Sequence, residues 1–326
     1  MTTARTRLDG LDAVKLAAAA IVVLEHSVLR GTGGDLVAQF IYGACHVAVP
    51  TFFAVAGYIA GLKPPAAVAV TAFAATRAKR LLMPALFWMA FFPAFAFVRT
   101  GKAPWGEAVT AEWLVASFAG GGYAWFLVVL FSIAMLGALL ERRVQGIWPA
   151  YVGLALFTLL GLVQPQHPVG LGGGTFYFFI PVYGAAYWAG MHLARSAWRP
   201  SARVAATALI TLSLAAGGFT VARQLTGLLA YSWLMYVAAS LGALGALALA
   251  VDSRIPWDRL LRPLAWVRDG TLGIYLVHVV LISYVFLLVP PMQPLLRTFV
   301  GAIATLFVTA IVVAVARRWG PARAVL

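Results

Sequence analysis

The chain has a single cysteine, Cys45, among 326 residues, so no internal disulfide can form. Cys45 and the five histidines do not fall at zinc-ligand spacing, and no metal is expected. Acidic residues number only ten against 24 Lys and Arg, and no carboxylate pair has a helical spacing suited to glycosidase-type acid–base work. There is no G-x-S-x-G nucleophile elbow. The glycine runs at 120–122 and 172–174 precede no strand pattern and match no nucleotide-binding loop. Charge of either sign is scarce: 10% of residues are charged and 63% are hydrophobic, with mean hydropathy +0.91. A soluble domain of this length does not carry that balance.

What is present is a succession of apolar runs near twenty residues long, over 11–30, 37–62, 81–98, 124–140, 147–163, 176–193, 203–222, 228–250, 270–289 and 295–316. Their continuity excludes the alternating pattern of a barrel, and helices remain as the way to satisfy the backbone in lipid. The expected fold is all-α: a polytopic integral membrane protein of about ten transmembrane helices. It forms one domain over 1–326, with a short segment 1–9 and a tail 317–326 both in the cytoplasm. Charge sets this orientation. With the N-terminus inside, the inner loops hold Arg5, Arg7, Lys63, Arg77, Lys79, Arg80, Arg142, Arg143, Arg195, Arg199, Arg203, Arg254, Arg259, Arg262, Arg268, Arg317, Arg318 and Arg323. The outer side keeps only Arg30, Arg99, Lys102, Arg223 and Arg297. The net charge of +14 is therefore a topology signal that needs no nucleic acid, although an anionic cytoplasmic ligand can use part of it. Charges interrupt the first run, so no cleavable signal is expected. Ala and Arg richness points to a GC-rich source.

The first run, LDGLDAVKLAAAAIVVLEHSVLR, carries Asp12, Lys15, Glu25 and His26. At about 100° per residue the step from Lys15 to His26 closes to within roughly 20° of whole turns, so both share one helix face, with Asp12 and Arg30 close to it. Each charge at membrane depth costs a few kcal/mol, so such a stripe by default faces a bundle interior and marks a site. His26 lies roughly 16 Å beyond Lys15 along the axis, near mid-membrane if Lys15 is at the inner face. Glu25 points about 100° away from His26.

Other stretches carry weaker signals. In TFFAVAGYIAG, Gly57 and Gly61 have the small-xxx-small spacing that lets another helix approach. His46, beside Cys45, reads as a packing or hydrogen-bonding residue. A short helix on the inner face is expected over 66–76, followed by Arg77, Lys79 and Arg80, which either anchor the chain or clamp phosphate through paired guanidinium donors. The external loop 99–123, with Trp105, Glu107, Glu112, Trp113 and the run GGGY at 120–123, suits either sugar stacking or an interfacial belt. The stretch from Gly172 to Gly174 and on through Phe176, Tyr177, Tyr183, Tyr187 and Trp188 has the same ambiguity. In the ninth run, RDGTLGIYLVHVVLI, His278 lies one turn beyond Tyr275 on the same side.

Taken in order, the K-x10-H spacing of Lys15 and His26 within LDGLDAVKLAAAAIVVLEH is followed by FFAVAGYIAG, RAKRLLMP, Ala124-Trp125-Phe126-Leu127 and LGIYLVH, spread across almost the whole chain. The set resembles the acyltransferase 3 family of bacterial membrane O-acyltransferases, with its R/K-x10-H, LDxLRxxAxxxVxxxH, FFxxSGF, RxxRLxxP, WFL and YxxYLxH patterns. Two positions depart. Ala56 stands where the family usually has Ser, so that hydroxyl is dispensable or replaced. Lys15 stands where Arg is commoner and lacks the paired donors of a guanidinium. No appended esterase-like domain is expected.

The resemblance implies transfer of an acyl group, most often acetyl, from cytoplasmic acyl-CoA to a hydroxyl of a glycan, exopolysaccharide or glycolipid. Acetyl-CoA would be a co-substrate, with no bound cofactor; the partners are acyl-CoA, the acceptor and membrane lipids. A hydroxyl is a poor nucleophile at neutral pH, and histidine is the natural base. His26 is the candidate base, with a covalent acyl-His route also open. Asp12, Lys15 and Glu25 complete the catalytic candidates, with Asp12 or another helix orienting the imidazole. Arg77, Lys79 and Arg80 are candidates for the acyl-CoA phosphates, and Trp125, Tyr275 and His278 for the substrate pocket. The competing class is a polytopic transporter that exports a glycolipid or anion unaltered, its polar stripe lining the path.

Overall fold

A computed structural model describes residues 2–31, 35–62, 69–100, 125–144, 146–163, 176–323 and 325–326. The described chain is helical with no strands. Its elements are α1 (Thr2–Gly31), α2 (Leu36–Cys45), α3 (Ala48–Leu62), α4 (Val70–Arg77) and α5 (Met83–Thr100). They continue with α6 (Trp125–Leu140), α7 (Trp148–Val163), α8 (Phe176–Arg195), α9 (Ala202–Thr226) and α10 (Ala230–Ala250). The short α11 (Trp257–Leu261) precedes α12 (Thr271–Leu288), α13 (Pro294–Ala316) and the terminal turn α14 (Gly320–Arg323). A helix lies in each of the ten apolar ranges. Five stretches are long and apolar enough to cross a membrane: Leu36–Leu62, Ala202–Thr226, Ala230–Ala250, Arg268–Leu288 and Pro294–Ala316. The protein is thus a multi-pass membrane protein. The loop residues Trp105, Glu107, Glu112 and Trp113 and the glycine runs at 120–122 and 172–174 lie outside the described residues.

Helix ends follow local chemistry. The Asp35 side chain caps α2 by accepting from the Val37 N–H at 2.9 Å. The Ser201 side chain caps α9, which ends at Gly227 in the left-handed conformation (φ 72°). Gln293 caps α13 from the residue before Pro294, whose missing N–H needs no partner at a first-turn position.

Two expectations are corrected. The second run is not one continuous helix: it breaks at His46 and Val47 between α2 and α3. Pro50 has no N–H to return to the carbonyl four residues earlier, at His46, which places the break there. The short helix expected over 66–76 is not a separate element either. It starts at Val70 and passes through a π turn, Ala78–Leu82, directly into α5, while residues 63–68 lie outside the described ones. That widened turn falls on the RAKRLL stretch, and such turns often mark functional positions.

Helix α1 is the centre of the bundle: α2, α3, α10, α11, α12 and α13 all pack against it. Over the eighteen most apolar residues of each stretch, 72% are buried in Leu36–Leu62 and in Ala230–Ala250, against 22% in Ala202–Thr226, so α9 is the least enclosed of the five. Helices α3 and α8 approach closely at two glycines. A Cβ on Gly57 would lie 1.8 Å from the Tyr187 carbonyl oxygen, and one on Gly190 would lie 2.1 Å from that of Ala54. Neither backbone atom can move aside without separating the helices. Gly57→Ala is therefore expected to destabilise the protein by about 3 kcal/mol through overpacking. Gly218→Ala, where nothing lies within 4 Å, should be neutral or stabilising because alanine is the better helix former. Thermal unfolding of both variants in detergent checks the contrast.

Candidate active site

The polar stripe of α1 meets a second one on α12. At one end, Asp12 accepts from Lys15 Nζ and from Arg268 Nε, each at 2.6 Å, and Arg268 Nη2 reaches Asp9 Oδ1 at 2.6 Å. Arg268 lies in the tight turn Arg268–Gly270 that leads into α12. Further along the same pair of helices, His26 Nδ1 lies 2.8 Å from His278 Nε2, with the two rings 4.9 Å apart and nearly parallel. Thus α1 offers Lys15 and His26, and the turn before α12 with α12 itself offers Arg268 and His278 in the same order.

The hydrogen bonds define the tautomers. His278 is fully buried, and its Nδ1 lies 3.1 Å from the Ile274 carbonyl oxygen. A carbonyl only accepts, so His278 carries its proton on Nδ1 and presents a bare Nε2. His26 must then donate from Nδ1, and in its neutral form the lone pair is on His26 Nε2. The pair therefore keeps Nε2 of His26 as the basic nitrogen and supplies an acceptor for the opposite N–H if that ring becomes charged.

A cavity of about 310 Å3 lies beside this axis. Asp12, Lys15 and Arg268 line its charged end, and Ala56, Phe126 and Tyr275 line its apolar part. Tyr275 packs on Phe126 with ring centres 5.1 Å apart and stands 6.1 Å from the His278 ring. The cavity lining thus ends at Tyr275, one helical turn before His278. Ala56, the position where serine is usual in the resembling patterns, faces this space.

The structure brings together some of the sequence candidates and separates others. Lys15, Asp12 and Tyr275 share the cavity, and His26 meets His278. Asp12 is bound to Lys15 and Arg268, and His26 Nδ1 meets instead a histidine from another helix. Glu25 turns away, as its 100° offset requires. It is 3.7 Å from His46 Nδ1, too long for a hydrogen bond, while that nitrogen donates to the Tyr42 carbonyl at 3.0 Å. Trp125 packs on Phe179 and Tyr183 and meets Phe126 edge-on; it does not line the cavity itself, although Phe126 does. Arg77 lies over the Phe73 ring, and Lys79 and Arg80 are exposed; none of the three lines the cavity, although the next residue, Leu81, does. Among the described residues no group of three His, Cys, Asp or Glu side chains is placed to hold a metal.

Arg268 is the residue that sequence reasoning missed, because its loop position made it one more inner-side arginine. A signal was available: Arg268 precedes His278 by nearly the same spacing that separates Lys15 from His26. Asp9 is almost wholly buried, so its charge depends on Arg268. Arg268→Ala should destabilise the protein by about 2 kcal/mol, a buried-pair loss discounted for the partial exposure of the arginine. Adding Asp9→Asn should recover part of that loss in the same unfolding measurement.

By fold and site this is a multi-pass helical membrane protein with polar groups of α1 and α12 gathered inside the bundle. A family model described as an acyltransferase domain matches residues 8–314. The chain belongs to the acyltransferase 3 family and is a membrane acyltransferase. No curated protein and no solved structure matches it.

Proposed function

We propose that the protein moves an acyl group, most often acetyl, from cytoplasmic acyl-CoA to a hydroxyl of a glycan, exopolysaccharide or glycolipid in the bacterial cytoplasmic membrane. About ten helices cross the bilayer in this reading, with both termini inside. The observation that carries it is the His26–His278 contact at 2.8 Å, about one helical turn beyond a cavity with a charged end.

The donor enters from the end marked by Lys15 and Arg268. Its phosphates stay at the rim, near Arg77, Lys79 and Arg80, and its thioester reaches inward past Ala56 and Tyr275. The acceptor comes from the opposite side. As its oxygen attacks the thioester carbonyl carbon, His26 Nε2 takes the hydroxyl proton. The carbon–sulfur bond then breaks, and the imidazolium returns the proton to the departing thiolate. No net proton is gained or lost. His278 holds the required tautomer and, by accepting from Nδ1, stabilises the transient positive charge on His26.

Labelled acetyl-CoA presented to the purified protein in nanodiscs tests the reading. Release of free thiol with transfer or hydrolysis of the label is expected. Binding of an anionic glycolipid without any consumption of acetyl-CoA, with or without a glycan acceptor, would instead support transport.

A further inference from the structure

Exposure falls along the cavity that the acyl donor would enter. At its charged end the Lys15 and Arg268 side chains are 29% and 31% exposed. At the other end Phe126 and Tyr275 are each 4% exposed, and Val55 and Leu127 no more than 1%. The first end is a mouth and the second is closed.

Phe126, in the first turn of α6, is the centre of the closed end. Its ring centre lies 5.1 Å from that of Tyr275, 5.2 Å from that of Phe53 and 5.6 Å from that of Phe52, and Phe52 meets Tyr275 at 6.0 Å. Rings at these separations are in contact, so no opening the width of an alkyl chain runs between them. The bracing rings are themselves held: Phe53 stacks on Tyr183, nearly parallel and 4.8 Å away.

We infer that Phe126 is the specificity-determining residue for the acyl chain, because it ends the donor cavity and restricts the transferred group to the size of acetyl. The inference rests on the donor reading above and adds the limit on chain length. The thioester carbon has three substituents. Its sulfur leads back to the charged mouth, its carbonyl turns past Tyr275 towards His26, and the alkyl group is left facing Phe52 and Phe126. A methyl group fits against these rings. Each further methylene must displace a braced ring or hold the carbonyl back from the histidines, and overpacking a closed wall outweighs what the methylene gains by leaving water.

The purified full-length protein in nanodiscs would be titrated calorimetrically with CoA and with S-ethyl-, S-butyl- and S-hexyl-CoA, thioethers of rising chain length that cannot be turned over. The wild type is expected to bind S-ethyl-CoA about ten-fold or more tightly than S-butyl-CoA, with S-hexyl-CoA weaker still, as surplus methylenes meet in a closed pocket. Phe126→Ala removes the wall and should reverse the order, favouring S-butyl-CoA over S-ethyl-CoA by about ten-fold, since each newly buried methylene contributes about four-fold. Phe126→Leu keeps an apolar filling and should shift the ranking the same way by less, which serves if the alanine variant does not fold. Equal affinity of the wild type for the three thioethers overturns the inference, as does a ranking that the folded variants leave unchanged; in either case binding of CoA itself leaves the donor reading standing. Binding of neither CoA nor any thioether overturns both.

Discussion

His26→Ala is expected to lower acyl transfer from acetyl-CoA by about 10²- to 10⁴-fold, the usual contribution of a positioned general base. The substitution removes the ring that presents Nε2 while leaving the charged end of the cavity intact, so acetyl-CoA binding should persist. That separation makes the result specific. A drop in turnover with retained binding and an unchanged unfolding temperature assigns the base, whereas robust turnover without His26 keeps the enzyme and discards this residue's role. Lost binding together with lost turnover would point to collapse of the α1–α12 contact instead. The expected effect is large because His278, the imidazole that meets His26, has its Nδ1 committed to Ile274 and its ring fully buried, so it is not placed to act as the base itself.

Replacing His278 should have the second-largest effect and should depend on what replaces it. His278→Leu fills the space but removes the acceptor for His26 Nδ1–H, freeing His26 to adopt the wrong tautomer and withdrawing a hydrogen bond from a developing charge. A loss of about 10- to 100-fold in kcat is expected, the weight of a hydrogen bond to a charged group, with little change in KM for acetyl-CoA. His278→Gln places an amide oxygen near the position of Nε2, so it should recover much of the activity. Equal loss in both variants would assign His278 to packing alone. Steady-state kinetics on the three proteins, with unfolding temperatures beside them, reads the difference.

The arrangement also explains why the charges on α1 are tolerated. Asp9, Asp12, Lys15 and Arg268 form one connected network at an end of the helix rather than isolated ions at membrane depth, so each loses water but gains a partner within 2.6 Å. His26, deeper along the axis, needs no counter-charge in its neutral state. Glu25, off the stripe, is the exception among the charges of α1. It is buried, and its neighbour His46 is in reach electrostatically but not by hydrogen bonding.

Much of the fold was legible in the sequence. Apolar runs long enough for a bilayer must become helices, because lipid offers the backbone no other donors or acceptors, and helices occupy all ten ranges. Gly57 and Gly61 announced a close helix contact, although not that α8 would provide it. The break at His46 was open to inspection in Pro50; the π turn at Ala78–Leu82 was not, since nothing in a residue's type demands one extra residue per turn.

The site divides along the same line. Periodicity along one helix is a local property, so the sequence by itself determined that Asp12, Lys15 and His26 share a face and that Glu25 does not. It also determined that Tyr275 and His278 lie on one side of their helix. Which helix faces which is decided by packing between residues some 250 positions apart, and no local pattern encodes it. Only the tertiary structure could pair His26 with His278, turn an apparent topology arginine, Arg268, into the partner of two aspartates, and leave Arg77 and Arg80 outside the cavity. The physical reason is that burial in a bundle rewards every apolar face in much the same way, whereas a charge or an imidazole is satisfied only by the one neighbour that brings a matching donor or acceptor within hydrogen-bonding distance.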